Sequence, residues 1–544
     1  MKRGGMVVLV ALAALAGAAR GDIFQWEWVD PGDHSQGKRE SATLCPDGAG
    51  KNAGPGAYLR SLDLTQAYLI AANLMFADFW QATLTDADLT DAEVRFASLG
   101  DTTSTGFTAA QLYSTASYKA KDLTSINLGN DLSGWNFAGQ NLTNANFAGA
   151  TLTGADLSRA NLRDAAFSRA TLTGAGLSGA DLWNAHLDEA TLTGADLTDA
   201  EVRWAHFAGT TGFTAAQLYA TASYKAKDLV GIGLDYNDLS GWNFAGQDLT
   251  GAHFQKCTLT GADLTDAEVR GAWFSETTSR GFTAAQLYST ASYKAKDLAW
   301  IRLRYNDLAG WDFAGQNLTG AEFYGATLTG TDLSGANLAD ALFYGTTLTG
   351  ADLSGANLAD ARFYIATMTG ADLSSADARG AEDLSVADAV TANMIRPDGS
   401  VQGLDLAGGR TLVVRDYDGE SAPLPVHVLN AMTMGTGGVL RMVFDADDWG
   451  SLISFDAGIP VALGGTLELT FAPGMDVPGQ VGRTLTLFDW SGVTPSGTFA
   501  VSSPHPWDLS DLYTTGDVTL LPEPATLALL AMGLGVLGLR RRGG

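Results

Sequence analysis

Along most of the chain the apolar positions recur every five residues. From Ala155 to Gly209 the sequence divides into ADLSR, ANLRD, AAFSR, ATLTG, AGLSG, ADLWN, AHLDE, ATLTG, ADLTD, AEVRW and AHFAG. Each five opens on a small residue and carries Leu, Phe or Val at its third place. That period belongs neither to an α-helix, with about 3.6 residues per turn, nor to a strand, which alternates every second residue. A longer period lies over it: TLTG begins at Thr151, Thr171 and Thr191, and Phe147, Phe167, Leu187 and Phe207 recur at the same interval.

Twenty residues are four fives, so the pattern predicts a square solenoid in which each five makes one side and turns a corner. The third residue of each five points to the axis, and the small residue two places earlier points inward beside the corner. The remaining three positions face water, in keeping with their Asp, Asn, Ser, Thr, Gly and Arg. Four buried side chains cannot offset the backbone entropy of a whole coil, so stability must come from stacking on neighbours about 4.8 Å away. The A(D/N)LXX pattern resembles the pentapeptide-repeat family, and the resemblance covers most of residues 57 to 380. It implies a mainly β fold, a right-handed quadrilateral β-helix; the handedness and the square section come from the family.

The fives stop three times, at nearly identical segments: GFTAAQLYSTASYKAKDL from Gly106, GFTAAQLYATASYKAKDL from Gly212 and GFTAAQLYSTASYKAKDL from Gly281. Thr108 with Gln111 makes a capping-box pattern, and Phe107 can meet Leu112 as a hydrophobic staple. Short helical inserts are therefore predicted near 102–120, 210–226 and 277–295. Each copy is either a docking element or the trace of a duplicated unit whose helix covers the broken wall. Trp135, Trp242 and Trp311 follow in the small inward position, as a bulge or plug beside each helix. Beyond the third insert Phe323, Phe343 and Phe363 are predicted to stack inside, with Tyr324, Tyr344 and Tyr364 as an outward ladder. Such a ladder can bind sugar rings or a partner, or it can stabilise the solenoid by stacking on itself.

These patterns divide the chain into a leader at 1–18, an N-terminal cap at 19–56, the solenoid at 57–387, a β-rich domain at 388–520 and a tail at 521–544. The leader has Lys2 and Arg3 before an apolar run from Met6 to Ala16, with small residues at Ala16, Gly17 and Ala18, and reads as an export signal. The cap carries Trp26 and Trp28 and covers the first open coil. In the β-rich domain RTLVVRDY, GVLRMVFDA, GTLELTFA and RTLTLFDW alternate between turn residues, which fits a small sandwich or a continuing β-solenoid.

At the tail Pro522, Glu523 and Pro524 precede an apolar run at 525–539, a C-terminal apolar helix by its pattern, followed by Arg540, Arg541 and Arg542. This resembles a PEP-CTERM sorting tail. The resemblance implies recognition by an exosortase and at least transient residence of the run in the inner membrane, with the arginines cytoplasmic.

Sixty acidic and 33 basic residues give a net charge of −27, which disfavours binding to a phosphate backbone. The charge also fits the DNA mimicry of certain pentapeptide-repeat proteins that bind gyrase, although export would remove the protein from a topoisomerase. Cys257 stands in a small inward position and is expected to be a buried hydrophobe, out of reach of Cys45. There is no phosphate-binding Gly-rich loop, CxxC, HExxH or GxSxG. Asp alternates with Asn at one repeat position, as in Asp156 and Asn161, so those carboxylates read as structural. His186 and His206 are placed to stack, with Asp188 or Glu189 near, and His253 has the same place in its five; no metal site is assigned to them. The expectation is a non-enzymatic exported surface or matrix protein without a cofactor, alternatively a carbohydrate- or protein-binding adhesin, with exopolysaccharide as a candidate partner.

Overall fold

The computed structural model describes residues 21–417, 424–444 and 449–523. The leader at 1–18, Pro524, the apolar run at 525–539 and Arg540 to Arg542 lie outside the described residues. The fold is mainly β with a few short helices, in two compact units, Met1–Asn237 and Asp238–Gly544.

The five-residue unit is a bridge followed by a turn. In Ala155 to Arg159, Ala155 and Leu157 are fully buried, Asp156 forms a parallel bridge to Gly176, and Arg159 turns the corner with φ of 56°. The bridges Asn161–Asp181, Ala166–His186 and Thr171–Thr191 complete one coil. In this stretch each bridge position meets the residue twenty further on, and four parallel ladders result. The left-handed corner explains why Gly, Asn and Asp are frequent at the fifth place. Asp and Asn alternate before the central Leu because both supply the same atom. Asp156 Oδ1 accepts the Ser158 N–H at 2.9 Å, and Asn146 Oδ1 accepts the Ala148 N–H at 2.9 Å, closing the turn locally.

In the first unit an antiparallel hairpin, β1 (Phe24–Trp28) and β2 (Lys38–Leu44), covers the first coil. Gln25 bridges Ala67, and the Trp26 N–H donates to Gln66 O at 2.9 Å. The first insert is α1 (Ala109–Ser114) with α2 (Ala116–Lys119), and the second is α3 (Ala215–Ala220) with α4 (Ala222–Lys225). Thr108 and Gln111 form the reciprocal capping box, and Phe107 and Leu112 are both buried. Each insert lengthens one coil: Ser98 bridges Asn127 and His206 bridges Gly233.

The inserted helices supply the groups that the interrupted coil would have supplied. Gln111 Nε2 donates to Leu84 O and Ala87 O, each at 2.8 Å. Ser117 Oγ accepts the Val94 N–H at 2.8 Å. Tyr113 Oη accepts the Asn136 N–H, while Tyr118 Oη donates to Asn136 O at 2.8 Å. Trp135 is half-buried against Phe107, with ring centroids 5.8 Å apart.

The second unit repeats this at α5 (Ala284–Tyr288) and α6 (Ala291–Lys294). Gln286 Nε2 donates to Leu259 O and Ala262 O, and Trp311 packs against Phe282 at 5.8 Å. Phe323, Phe343 and Phe363 stack in the core at 5.2 and 4.8 Å. The four-sided stretch continues past the end of the visible fives, because Asp372 still bridges Val390 and Asp377 bridges Ile395. That final coil is shorter by two residues, which hides it from a strict period.

The β-rich domain is a parallel solenoid, not a sandwich. Its first coil is β3 (Ser400–Val401), β4 (Leu404–Asp405) and β5 (Thr411–Arg415); its second is β6 (Val426–Val428), β7 (Met432–Thr433) and β8 (Val439–Phe444); its third is β9 (Ile453–Phe455), β10 (Val461–Leu463) and β11 (Thr466–Phe471). Strands stack as β3-β6-β9, as β4-β7-β10 and as β5-β8-β11, all parallel. Three ladders thus replace four. β12 (Thr484–Thr486) pairs instead with a late strand, while β13 (Ser496–Gly497) and β14 (Ala500–Ser502) extend two of the ladders. The closing sheet joins β12, β15 (Trp507–Asp508) and β16 (Asp517–Leu520) antiparallel.

A buried ion pair lies at the change of section. Arg379 and Asp377 side chains are 1% and 2% exposed and meet at 2.6 Å. The Arg379 guanidinium also donates to Leu424 O, Arg415 O and Ser451 Oγ. Tyr417 caps it, donating to Asp360 Oδ1 at 2.6 Å.

Candidate functional site

The tyrosine ladder exists as a stack with one loose end. Tyr324 and Tyr344 are parallel at 4.6 Å and 3°, and Tyr364 tilts away at 5.9 Å and 50°. Stacked rings spend their faces on each other, so Tyr324 and Tyr344 offer edges and hydroxyls to solvent. Tyr364 is 54% exposed. Arg304 covers the other end of the stack, 5.0 Å from the Tyr324 ring, and pairs with Glu322.

On another column His253 stacks on Trp273 at 3.7 Å, and Arg302 lies over the same indole at 3.8 Å. Burial there pushes the Arg302 guanidinium below its ordinary range, against the raising effect of Glu322. His186 and His206 stack at 4.8 Å and 5°, with Asp188 Oδ2 3.7 Å from His186 Nδ1. Among the described residues no group of three or more His, Cys, Asp or Glu is placed to hold a metal ion. Cys45 and Cys257 are both buried and no disulfide joins them, and burial pushes the Cys45 thiol up to about 11.

At the end of the described chain Pro522 and Glu523 border an apolar cleft of about 380 Å³ with Val477, Pro478, Val481 and Leu521. Glu523 pairs with His505 at 3.2 Å. Among the described residues no helix is long and apolar enough to cross a membrane.

A groove that the sequence reading missed opens beside the third insert. It encloses about 610 Å³ and is lined by Tyr305, Trp311, Phe282, Thr278, Ser279 and Asp307, among others. The available signal was one residue long: the second and third copies read LDYNDL and LRYNDL where the first reads LGNDL.

Comparison with known proteins finds similarity in the repeats. The model for pentapeptide repeats matches in eight copies, at residues 56–94, 131–169, 141–178, 175–211, 238–278, 297–335, 336–374 and 348–382. Among solved structures the chain is similar to HetL, a pentapeptide repeat protein involved in heterocyst differentiation regulation from the cyanobacterium Nostoc sp. That likeness has 24% identity over 54% of this chain and 98% of HetL, with a TM-score of 0.18. A pentapeptide repeat protein from the Arabidopsis thaliana thylakoid lumen is 25% identical over 26% of this chain and 70% of its own, with a TM-score of 0.11. QnrB1, a plasmid-mediated fluoroquinolone resistance protein, is 16% identical over 50% of this chain and 89% of its own, also with a TM-score of 0.11. No curated protein matches the chain.

Proposed function

We propose, on the premise that this chain carries pentapeptide repeats between residues 56 and 382, that it is an exported, non-enzymatic scaffold of the cell surface or extracellular matrix. The observation that carries this reading is the employment of the wall carboxylates. Asp332, Asp352 and Asp372 each accept, through Oδ1, the N–H two residues on. Asn317 and Asn337 do the same at equivalent places. A position that takes an amide as readily as an acid serves the turn, not proton transfer.

The two ends supply the address. The leader-like segment at 1–18 directs export, and the Pro522-Glu523-Pro524 motif with its apolar run and terminal arginines presents the chain to an exosortase at the inner membrane. Exopolysaccharide is the expected surrounding. A second reading, an adhesin using the tyrosine ladder, is favoured by the exposure of Tyr364; the stacked faces of Tyr324 and Tyr344 limit it to that end.

The test is fractionation of the native host with mass spectrometry of both termini. A chain in the envelope or medium, shortened at the leader and altered at the tail, is the expected result. An intact chain in the cytoplasm would overturn the proposal.

A further inference from the structure

We infer that the groove beside the third insert is a binding subsite for a pyranose unit of a neutral polysaccharide, with Tyr305 as its platform. The inference stands apart from the export reading, since binding is measured on purified protein whatever its address.

The first copy acts as the control, while the second carries Tyr236 at the place of Tyr305. In the first copy Asn130 follows Leu128 after Gly129 alone, and the next coil is one residue short, with Asp122 bridging Asn141. In the third copy Arg304 and Tyr305 fill that place, and Asp297 bridges Asn317 in a full coil. The anchoring is otherwise the same. Asn130 Oδ1 accepts the Thr102 N–H and its Nδ2 donates to Leu99 O; Asn306 Oδ1 accepts the Thr277 N–H and its Nδ2 donates to Phe274 O. The insert therefore docks without the tyrosine.

Tyr305 stands at a corner, as Phe76, Phe96 and Trp300 do elsewhere in the wall. Its φ is 57°, a left-handed conformation that a bulky side chain adopts at a cost. One ring face rests on Gly325, where an added Cβ would come within 2.6 Å of the ring, and the residue remains 61% exposed. The outcome is a flat aromatic face turned to the groove. Thr278, Ser279, Asp307 and Trp311 line the same groove.

A pyranose has one face of C–H groups and a rim of hydroxyls, which is the complement of this surface. The depression, about 610 Å³ and open to solvent, leaves room for a sugar ring. With a net charge of −27 the molecule repels uronate or sulfate groups, so the glycan is neutral. Tyr324 and Tyr344 stack on each other, whereas among the described residues no ring stacks on Tyr305.

The experiment is affinity electrophoresis of the full chain in native gels containing hydroxyethyl cellulose, laminarin or galactomannan, with polygalacturonate as the acidic arm. Retardation in at least one neutral gel is expected. Tyr305→Ala and Tyr305→Leu should each weaken it fivefold or more, Tyr305→Phe should retain it, and Tyr364→Ala should leave it unchanged. Equal thermal midpoints for the variants show that folding is intact, and Phe keeps the comparison open if Ala lowers the midpoint. No retardation in any neutral gel, retardation by polygalacturonate alone, or retardation indifferent to Tyr305→Ala and Tyr305→Leu would overturn the inference.

Discussion

Two solenoids share the second unit, and they hold their shape by different means. From Asp297 to Ile395 the wall is built of units that close themselves. The corner, the Asx hydrogen bond and the inward Leu all fall within five residues, as in Asp332 to Gly335, where Asp332 Oδ1 takes the Ser334 N–H and Gly335 turns with φ of 63°. From Ser400 onward the side chains simply alternate, as in Thr411–Arg415 with Leu412 and Val414 buried. The distance to the next coil there varies: Val401 pairs with Val428, Val414 with Met442, but Glu468 with Ser502. Local closure sets the usual length of a coil at twenty residues. Alternation fixes only which side is in.

The joint between the two regions is where the comparison breaks hardest. Arg379→Ala removes the donors of Leu424 O, Arg415 O and Ser451 Oγ and leaves Asp377 buried without its cation. A loss of about 3–5 kcal/mol is expected, read by urea denaturation of the full chain. Uncoupled transitions for the two regions should accompany it.

Each insert is next in size. Gln286→Ala strips Leu259 O and Ala262 O of their donor and opens the capping box. We expect a cost of about 1–3 kcal/mol in the same denaturation assay. Alkali probes the same helices. Burial pushes the Tyr293 phenol up to about 12 and raises Tyr288 and Tyr118 as well. The fold favours the neutral phenol, so this stability is complete below about pH 10, the unfolded value. It is lost as pH rises through the folded values. Absorbance titration at alkaline pH, with circular dichroism alongside, should show the insert phenols ionising late and the helices melting with them.

Acid probes the corners. Hydrogen bonds from Ser240 and Thr265 hold the Asp238 and Asp263 carboxyls below the usual range. Their contribution is therefore present above about pH 3.8 and is lost as pH falls through the lower folded values. The thermal midpoint should decline below that point. The smallest effect expected is that of Asp332→Asn, within about 0.5 kcal/mol at neutral pH, because the amide oxygen can take the same N–H.

What the sequence made legible follows the same division. The fives revealed the four-sided wall because each carries its own corner and its own buried Leu, and Thr108 with Gln111 revealed the first helix through a local cap. The last coil escaped because Val390 and Ile395 pair back across a shortened loop. In the β-rich domain the strands were readable but their stacking was not, since partners such as Met442 and Leu469 meet across loops of no fixed grammar. At the surface the ladder of Tyr324, Tyr344 and Tyr364 was visible as a period. That two of its faces are spent on each other depends on ring orientation, which no period records. Tyr305 was hidden for the opposite reason: it sits in a one-residue lengthening that the second copy shares through Tyr236 and the first lacks, apparent only when the copies are laid over one another.

Local closure in coils of twenty is the central claim, and excision tests it most directly. Removing Thr327 to Thr346 joins Ala326 to Thr347, residues that already follow each other in pattern, with Thr327 bridged to Thr347. Removing Thr327 to Gly345 deletes one residue fewer and shifts every later side chain by one place relative to the coil below. The account predicts a cooperative unfolding transition and an unchanged β signal by circular dichroism for the first deletion, and loss of both for the second. Equal behaviour of the two chains, whether folded or unfolded, would contradict it.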